Sequence, residues 1–152
     1  MIRPPLHIIA EAGTNHGGKL DKAKKLVDIA KDACAHSVKF QIINPEGLYL
    51  RKLWDGEELK NNEVFHLREA QRLSDEGWKE CVAYCNQIGI SLSASVFDSH
   101  SLDLLDSFDP PYIKIASCDL NNHPLIEEVA ERGRTLILST GMSELKDVEA
   151  SV

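Results

Sequence analysis

The sequence predicts an α/β protein of the (β/α)8 barrel type, incomplete, with the first five βα units present. Three observations carry this reading. Five strand-length runs rich in Ile, Val, Leu or Phe occur at 6–10, 37–43, 90–95, 112–116 and 135–139. Stretches of helical period separate them, the alternation expected of parallel βα units. A polar or charged residue recurs at or near the C-terminal end of every run, where a barrel collects its chemistry on one face. An open doubly wound sheet would concentrate such residues at one switch point. Five strands do not close an eight-stranded barrel, so residues 1–152 read as the N-terminal portion of one, with the remaining strands expected elsewhere.

Each element has its own warrant. The first run, "LHIIA", leads to Glu11, which is expected to end strand one and to open the loop "GTNHGG". In "DKAKKLVDIAKDA", Ala23, Leu26, Val27 and Ala30 fall at helical spacing with charges on the opposite face, and Asp21 is the expected N-cap. The run "SVKFQII" puts Lys39 and Gln41 on one side by the period of two. Residues 44–73 form a long excursion, either a binding lid or a solvated charged insertion. The next helix starts at Ser74, faces inward with Trp78, Val82 and Cys85, and stops at Gly89. The run "ISLSAS" ends in Ser93 and Ser95, "YIKIA" carries Lys114 and is followed by Ser117, and "TLILS" ends at Ser139 before Thr140. Shorter helices follow these runs in "SHSLDLLDSF", "HPLIEEVAERG" and "SELKDVEASV"; Pro124 suits a first turn and Gly133 a stop. The last three runs begin about 22 residues apart, a tight βα period.

Composition narrows the function classes. With 152 residues, 43% apolar and 27% charged, the chain is ordinary for a globular domain with a sizeable core. A net charge of −7 gives no electrostatic reason to expect nucleic acid or an anionic membrane surface. The four cysteines, Cys34, Cys81, Cys85 and Cys118, do not make a disulfide framework, so reduced thiols and a cytoplasmic location are expected. "MIRPPLHIIAEAG" does not read as a signal peptide, and no stretch approaches the ~18 apolar residues of a membrane span.

Lys39 and Lys114 stand inside apolar strands, and lysine is seldom buried without a partner. If their neighbours Val38, Phe40, Ile113 and Ile115 face helices, both ammonium groups face the barrel axis. With hydroxyls at Ser95, Ser117 and Ser139 they would cradle a phosphate or carboxylate. A structural ion pair and a Schiff-base lysine are the alternatives. Glu11 is either an acid or base at the strand end or the counter-ion of Lys39. The Gly17–Gly18 pair is expected to let a ligand approach the backbone, whereas a plain turn would leave His16 in solvent. "GTNHGG" is not the dinucleotide fingerprint. Cys81 and Cys85 read as packing, Cys118 as a small buried residue, and Asn122 as a helix cap.

The segments "IIAEAGTNHGG", "VKFQ", "YIKIASCDLNNHPLI" and "LILSTGM" together resemble the sialic acid synthase family, which includes N-acetylneuraminate, legionaminate and pseudaminate synthases and spore-coat polysaccharide relatives. The resemblance implies a (β/α)8 barrel followed by an antifreeze-like domain, in a homodimer. It implies condensation of phosphoenolpyruvate with an N-acylated hexosamine such as N-acetylmannosamine, with C–O cleavage and release of phosphate. It implies no Schiff base, and a divalent ion (manganese or magnesium) whose histidine ligands are expected beyond residue 152. Carried onto this sequence, Lys39 and Lys114 match phosphoenolpyruvate-binding lysines, and Ser117 and Ser139 phosphate-binding serines. Glu11 matches the essential acid, and Gln41 lies near the substrates. Two positions depart from the family pattern. "SASVF" replaces Ser-Thr-Pro-Phe, so that Ser95 stands for a threonine, and Cys34 replaces a glycine in the turn before strand two, which is expected to be strained or rearranged.

Two other readings stay open on the sequence. One is a non-catalytic half-barrel that binds a phosphorylated ligand or a complementary chain. The other is a different phosphoenolpyruvate-condensing barrel. The 152 residues by themselves are expected to be inactive and to self-associate through raw sheet edges.

Overall fold

The computed structural model describes residues 6–152. Its centre is a five-stranded parallel sheet: β1 (Ile9–Gly13), β2 (Ser37–Gln41), β5 (Ser91–Val96), β6 (Ile113–Ile115) and β7 (Leu136–Leu138), side by side in that order. The order follows the chain with no reversal, so the sheet has no topological switch point. Helices α1 (Leu20–Asp32), α4 (Asp75–Ile88), α5 (Ser99–Asp106) and α6 (His123–Glu131) connect the strands, and α7 (Leu145–Ser151) follows β7.

The period of two in the strands decides which side the helices cover. Val38, Phe40, Leu92, Ala94, Val96, Ile113 and Ile115 are buried in one core with Ala23 and Val27 of α1, Trp78 and Cys85 of α4, Leu102 and Leu105 of α5 and Val129 of α6. Each large side chain buried this way contributes about 1.5–3 kcal/mol relative to exposure. Phe40, Trp78 and His16 meet edge to face, with ring centroids 5.3–6.0 Å apart. The other side of the sheet receives the alternate residues: Glu11, Lys39, Gln41, Ser93, Ser95 and Lys114.

Local signals place most helix ends. Ser74 accepts the Gly77 N–H at 3.1 Å and Gly89 closes α4 in the left-handed region, both as expected. Asp98 and Ser101 cap α5 reciprocally. Two caps differ from expectation. Helix α1 begins at Leu20 after an extended Lys19, so Asp21 lies inside the first turn, where its charge still favours the helix N-terminus. Asn122 precedes α6, but its amide turns to Asp119 instead of the helix. Strand one is also displaced. Pairing with β2 runs Ile9↔Ser37 to Gly13↔Phe40, so Glu11 sits mid-strand opposite Lys39, and the chain leaves the sheet at Gly13, where φ is +56°.

The excursion between β2 and α4 is neither structureless nor simply solvated. It holds a short α2 (Pro45–Leu48), an antiparallel hairpin of β3 (Lys52–Asp55) and β4 (Glu58–Asn61), and α3 (Glu63–Ala70) capped by Asn62. Phe65 anchors it in the interior while all eight hairpin residues are exposed.

Cysteine placement splits. Cys81 and Cys85 are buried in the core, as expected for packing residues. Cys118 is exposed, contrary to expectation, because β6 ends at Ile115 and a 3-10 turn over Ser117–Asp119 lifts it outward. Cys34 has φ +57°, the strain foreseen for a non-glycine in that turn. A left-handed residue with a Cβ costs about 1–2 kcal/mol. Cys34→Gly should therefore recover about 1 kcal/mol less the extra chain entropy of glycine, read as a higher unfolding midpoint. No described helix is long and apolar enough to cross a membrane.

Candidate active site

Strand register assembles the polar residues into two rows. Glu11, Lys39 and Ser93 are neighbours across β1, β2 and β5. One step further along, Gln41, Ser95 and Lys114 are neighbours across β2, β5 and β6. Because side chains in register share a face, Lys39 and Lys114 point to the same side, away from the helices.

Lys39 is only 8% exposed. It forms an ion pair with Glu11 and donates to Ser95 Oγ at 3.2 Å. Lys114 donates to Ser139 Oγ and to the Ile115 carbonyl. The loop after β7 brings Gly141 beside Ser117, where an added Cβ would stand 3.6 Å from the Ser117 Cβ. The structure thus brings Glu11, Lys39, Gln41, Ser95, Lys114 and Ser139 to one end of one face, with Ser117 at its rim. Of the two readings of Glu11, the structure displays the counter-ion contact, yet its side chain is 52% exposed.

The electrostatics follow from this crowding. Burial, and then the like charge of Lys39, lower the Lys114 pKa from its usual value; Glu11 and Cys118 pull the other way more weakly. A bound anion favours the charged form and draws the pKa back up. Affinity for an anion should therefore fall as pH rises through the lowered Lys114 pKa, below the ordinary lysine range near 10.4. Calorimetric titration with an enol phosphate across pH would register this, and Lys114→Met should flatten the profile. In stability the sign is reversed. A lysine with a depressed folded pKa destabilises while charged, and the penalty lifts as pH climbs through that pKa.

Two expectations about the first loop are corrected. Gly18 does not open the backbone to a ligand: with φ +75°, its missing Cβ would sit 3.1 Å from the Arg72 carbonyl oxygen and 3.2 Å from that of Ala70. The glycine is needed for the close seat of the chain just after α3. Gly18→Ala should cost more than the 1–2 kcal/mol of backbone strain alone, measurable by denaturant unfolding. His16 is 2% exposed instead of solvated, with Nδ1 accepting the Gly18 N–H at 3.1 Å.

Next to Gln41 lies a pocket of about 330 Å³, lined also by Tyr49, Arg68, Phe97 and Asp119 among others. Tyr49, Arg68, Phe97 and Asp119 were not foreseen as site residues. The only sequence signal for the first two was the length of the excursion.

The family model described as the NeuB family matches residues 26–152. The chain belongs to the NeuB family. It is similar to the spore coat polysaccharide biosynthesis protein SpsE of Bacillus subtilis, with 38% identity over 95% of this chain and 39% of that protein. It is also similar to the N-acetylneuraminate-9-phosphate synthase of Drosophila melanogaster, with 34% identity over 97% of this chain and 41% of that one. Among solved structures, the N-acetylneuraminic acid synthetase of Leptospira borgpetersenii serovar Hardjo-bovis, in complex with citrate, superposes with a TM-score of 0.84 at 34% identity, over 97% of this chain and 49% of that one. The NeuB-family chain thus spans about two-fifths of the length of these curated relatives.

Proposed function

We propose that this NeuB-family chain forms the first five units of a (β/α)8 barrel and supplies the enol-phosphate half of a nonulosonic acid synthase site. The synthase condenses phosphoenolpyruvate with an N-acylated hexosamine and releases phosphate by C–O cleavage. The observation that carries the reading is the placement of Lys39 and Lys114 on one face, each hydrogen-bonded to a strand-end serine. Barrel continuation is supported by the sheet edges. Among the described residues β1 and β7 each have one strand neighbour, and Leu136 and Leu138 of β7 are only partly buried.

In this site Lys114, Ser117 and Ser139 hold the phosphate, and Lys39 with Ser95 holds the remaining negative charge of the enol phosphate. Charged hydrogen bonds aimed at developing charge are the strongest electrostatic device available to such a site. An anion competing for Lys39 frees Glu11, whose carboxylate then takes a proton from the water that adds to C2. Gln41 orients the acceptor by its amide. Among the described residues no three of His, Cys, Asp or Glu gather as a metal site. The divalent ion implied by the family resemblance therefore finds no three-residue ligand cluster among the described residues.

The test is phosphate release by the complete reading frame that carries this segment, with phosphoenolpyruvate, a divalent salt and a panel of acceptors. Release is expected with N-acylmannosamine-type sugars and not with phosphorylated aldoses. Release with phosphorylated aldoses alone would overturn the acceptor class.

A further inference from the structure

Among the described residues, two buried donors next to the site have no partner. They are His16 Nε2 and Arg68 Nε, and the two residues that carry them both line one small cavity of about 10 Å³. The cavity lies between the loop after β1, the end of β2 at Gln41, α3 and the start of α4 at Trp78. An orphaned buried donor costs about 1–3 kcal/mol, so two facing one cavity call for an occupant.

The chemistry of that occupant is fixed by the ring. His16 Nδ1 accepts the Gly18 N–H, so in the neutral imidazole the proton lies on Nε2. Edge-to-face contacts with Trp78 and Phe40 hold the ring plane, so Nε2 cannot swing elsewhere. Arg68 Nε is always a donor. Two donors need one atom with two free lone pairs. The volume matches the space one water centre requires, and Thr14 and Gln41 also line the cavity and offer oxygens for the water's own protons.

We infer that one buried water bridges His16 Nε2 and Arg68 Nε, making His16 a positioning residue that locks the excursion helix α3 against the end of β2 bearing Gln41. Arg68 and Gln41 line this cavity and the 330 Å³ pocket alike, so the bridge sets the distance between two walls of that pocket. The close seat of Gly18 on the backbone of residues 70–72 belongs to the same joint. Among the described residues, the titratable side chains lining the cavity besides His16 are Arg68 and Arg72. With no carboxylate facing the imidazole, burial holds its pKa below the ordinary value and keeps it neutral.

The inference rests on the proposed function for its kinetic consequence but not for its structural one, and the experiment keeps the two apart. In the complete protein, nitrogen-detected histidine NMR should show His16 as the Nε2–H tautomer, and a high-resolution crystal structure should show one water between the two nitrogens. His16→Phe and Arg68→Met should each raise the KM for the amino-sugar acceptor about fivefold, the worth of one hydrogen bond, with the KM for phosphoenolpyruvate changed less than about twofold. The double variant should be no worse than the worse single one, and His16→Gln, which keeps an N–H, should recover most of the loss. A dry cavity, an Nδ1–H tautomer, additive effects or an equal rise in both KM values would each overturn the bridge. If the wild-type protein releases no phosphate, the proposed function fails while the NMR and crystallographic results still decide the water.

Discussion

Lys114→Ala should lower kcat/KM for phosphoenolpyruvate-dependent phosphate release by about 10²–10³-fold, the usual effect of deleting one preorganised electrostatic donor. The size follows from position. Lys114 occupies the row that joins Gln41 to Ser95, and its ammonium group already binds the Ser139 hydroxyl. Removing it strips charge from the centre of the cluster and leaves Ser139 without its donor. The variant should remain folded, because burial and Lys39 both act against the Lys114 charge and alanine relieves that penalty. Phosphate release that survives the substitution at near wild-type rate would remove the cradle from the mechanism.

Glu11→Gln should lower kcat by about 10²–10⁴-fold, the range of general acid–base contributions, while the KM for phosphoenolpyruvate falls because Lys39 loses its competing counter-ion. The substitution keeps shape and removes the proton-carrying carboxylate, so it separates the two readings of Glu11. A group that serves only as counter-ion of Lys39 would, on neutralisation, free that lysine for an anion. KM would then fall while kcat held. Steady-state kinetics with both substrates varied distinguishes the two, and the counter-ion outcome would move the acid–base role away from this residue.

The parts legible in the sequence were those whose cause is local. Strand runs showed through period-two apolar patterns, α1 and α4 through their apolar stripes, and the ends of α4 through Ser74 and Gly89. The common face of Lys39, Gln41 and Lys114 was legible because alternation alone fixes it once the neighbours are apolar. What escaped reading depends on contacts distant in sequence. The β3–β4 hairpin has every residue exposed, so no apolar alternation announces it. The requirement for Gly18 comes from carbonyl groups more than fifty residues away, and the burial of His16 comes from Trp78 and Phe40. Asn122 had a cap's identity but a nearer partner in Asp119.

The strict alternation along β2 also bears on how the chain finds its native pairing. Sliding β2 by one position would drive Lys39 and Gln41 among Trp78, Val27 and Cys85, and turn Val38 and Phe40 out of the core. Desolvating an unpaired ammonium group there costs several kcal/mol, so Lys39 serves as a proofreading device during assembly. Swapping it for methionine would erase the penalty that rejects the misaligned topology.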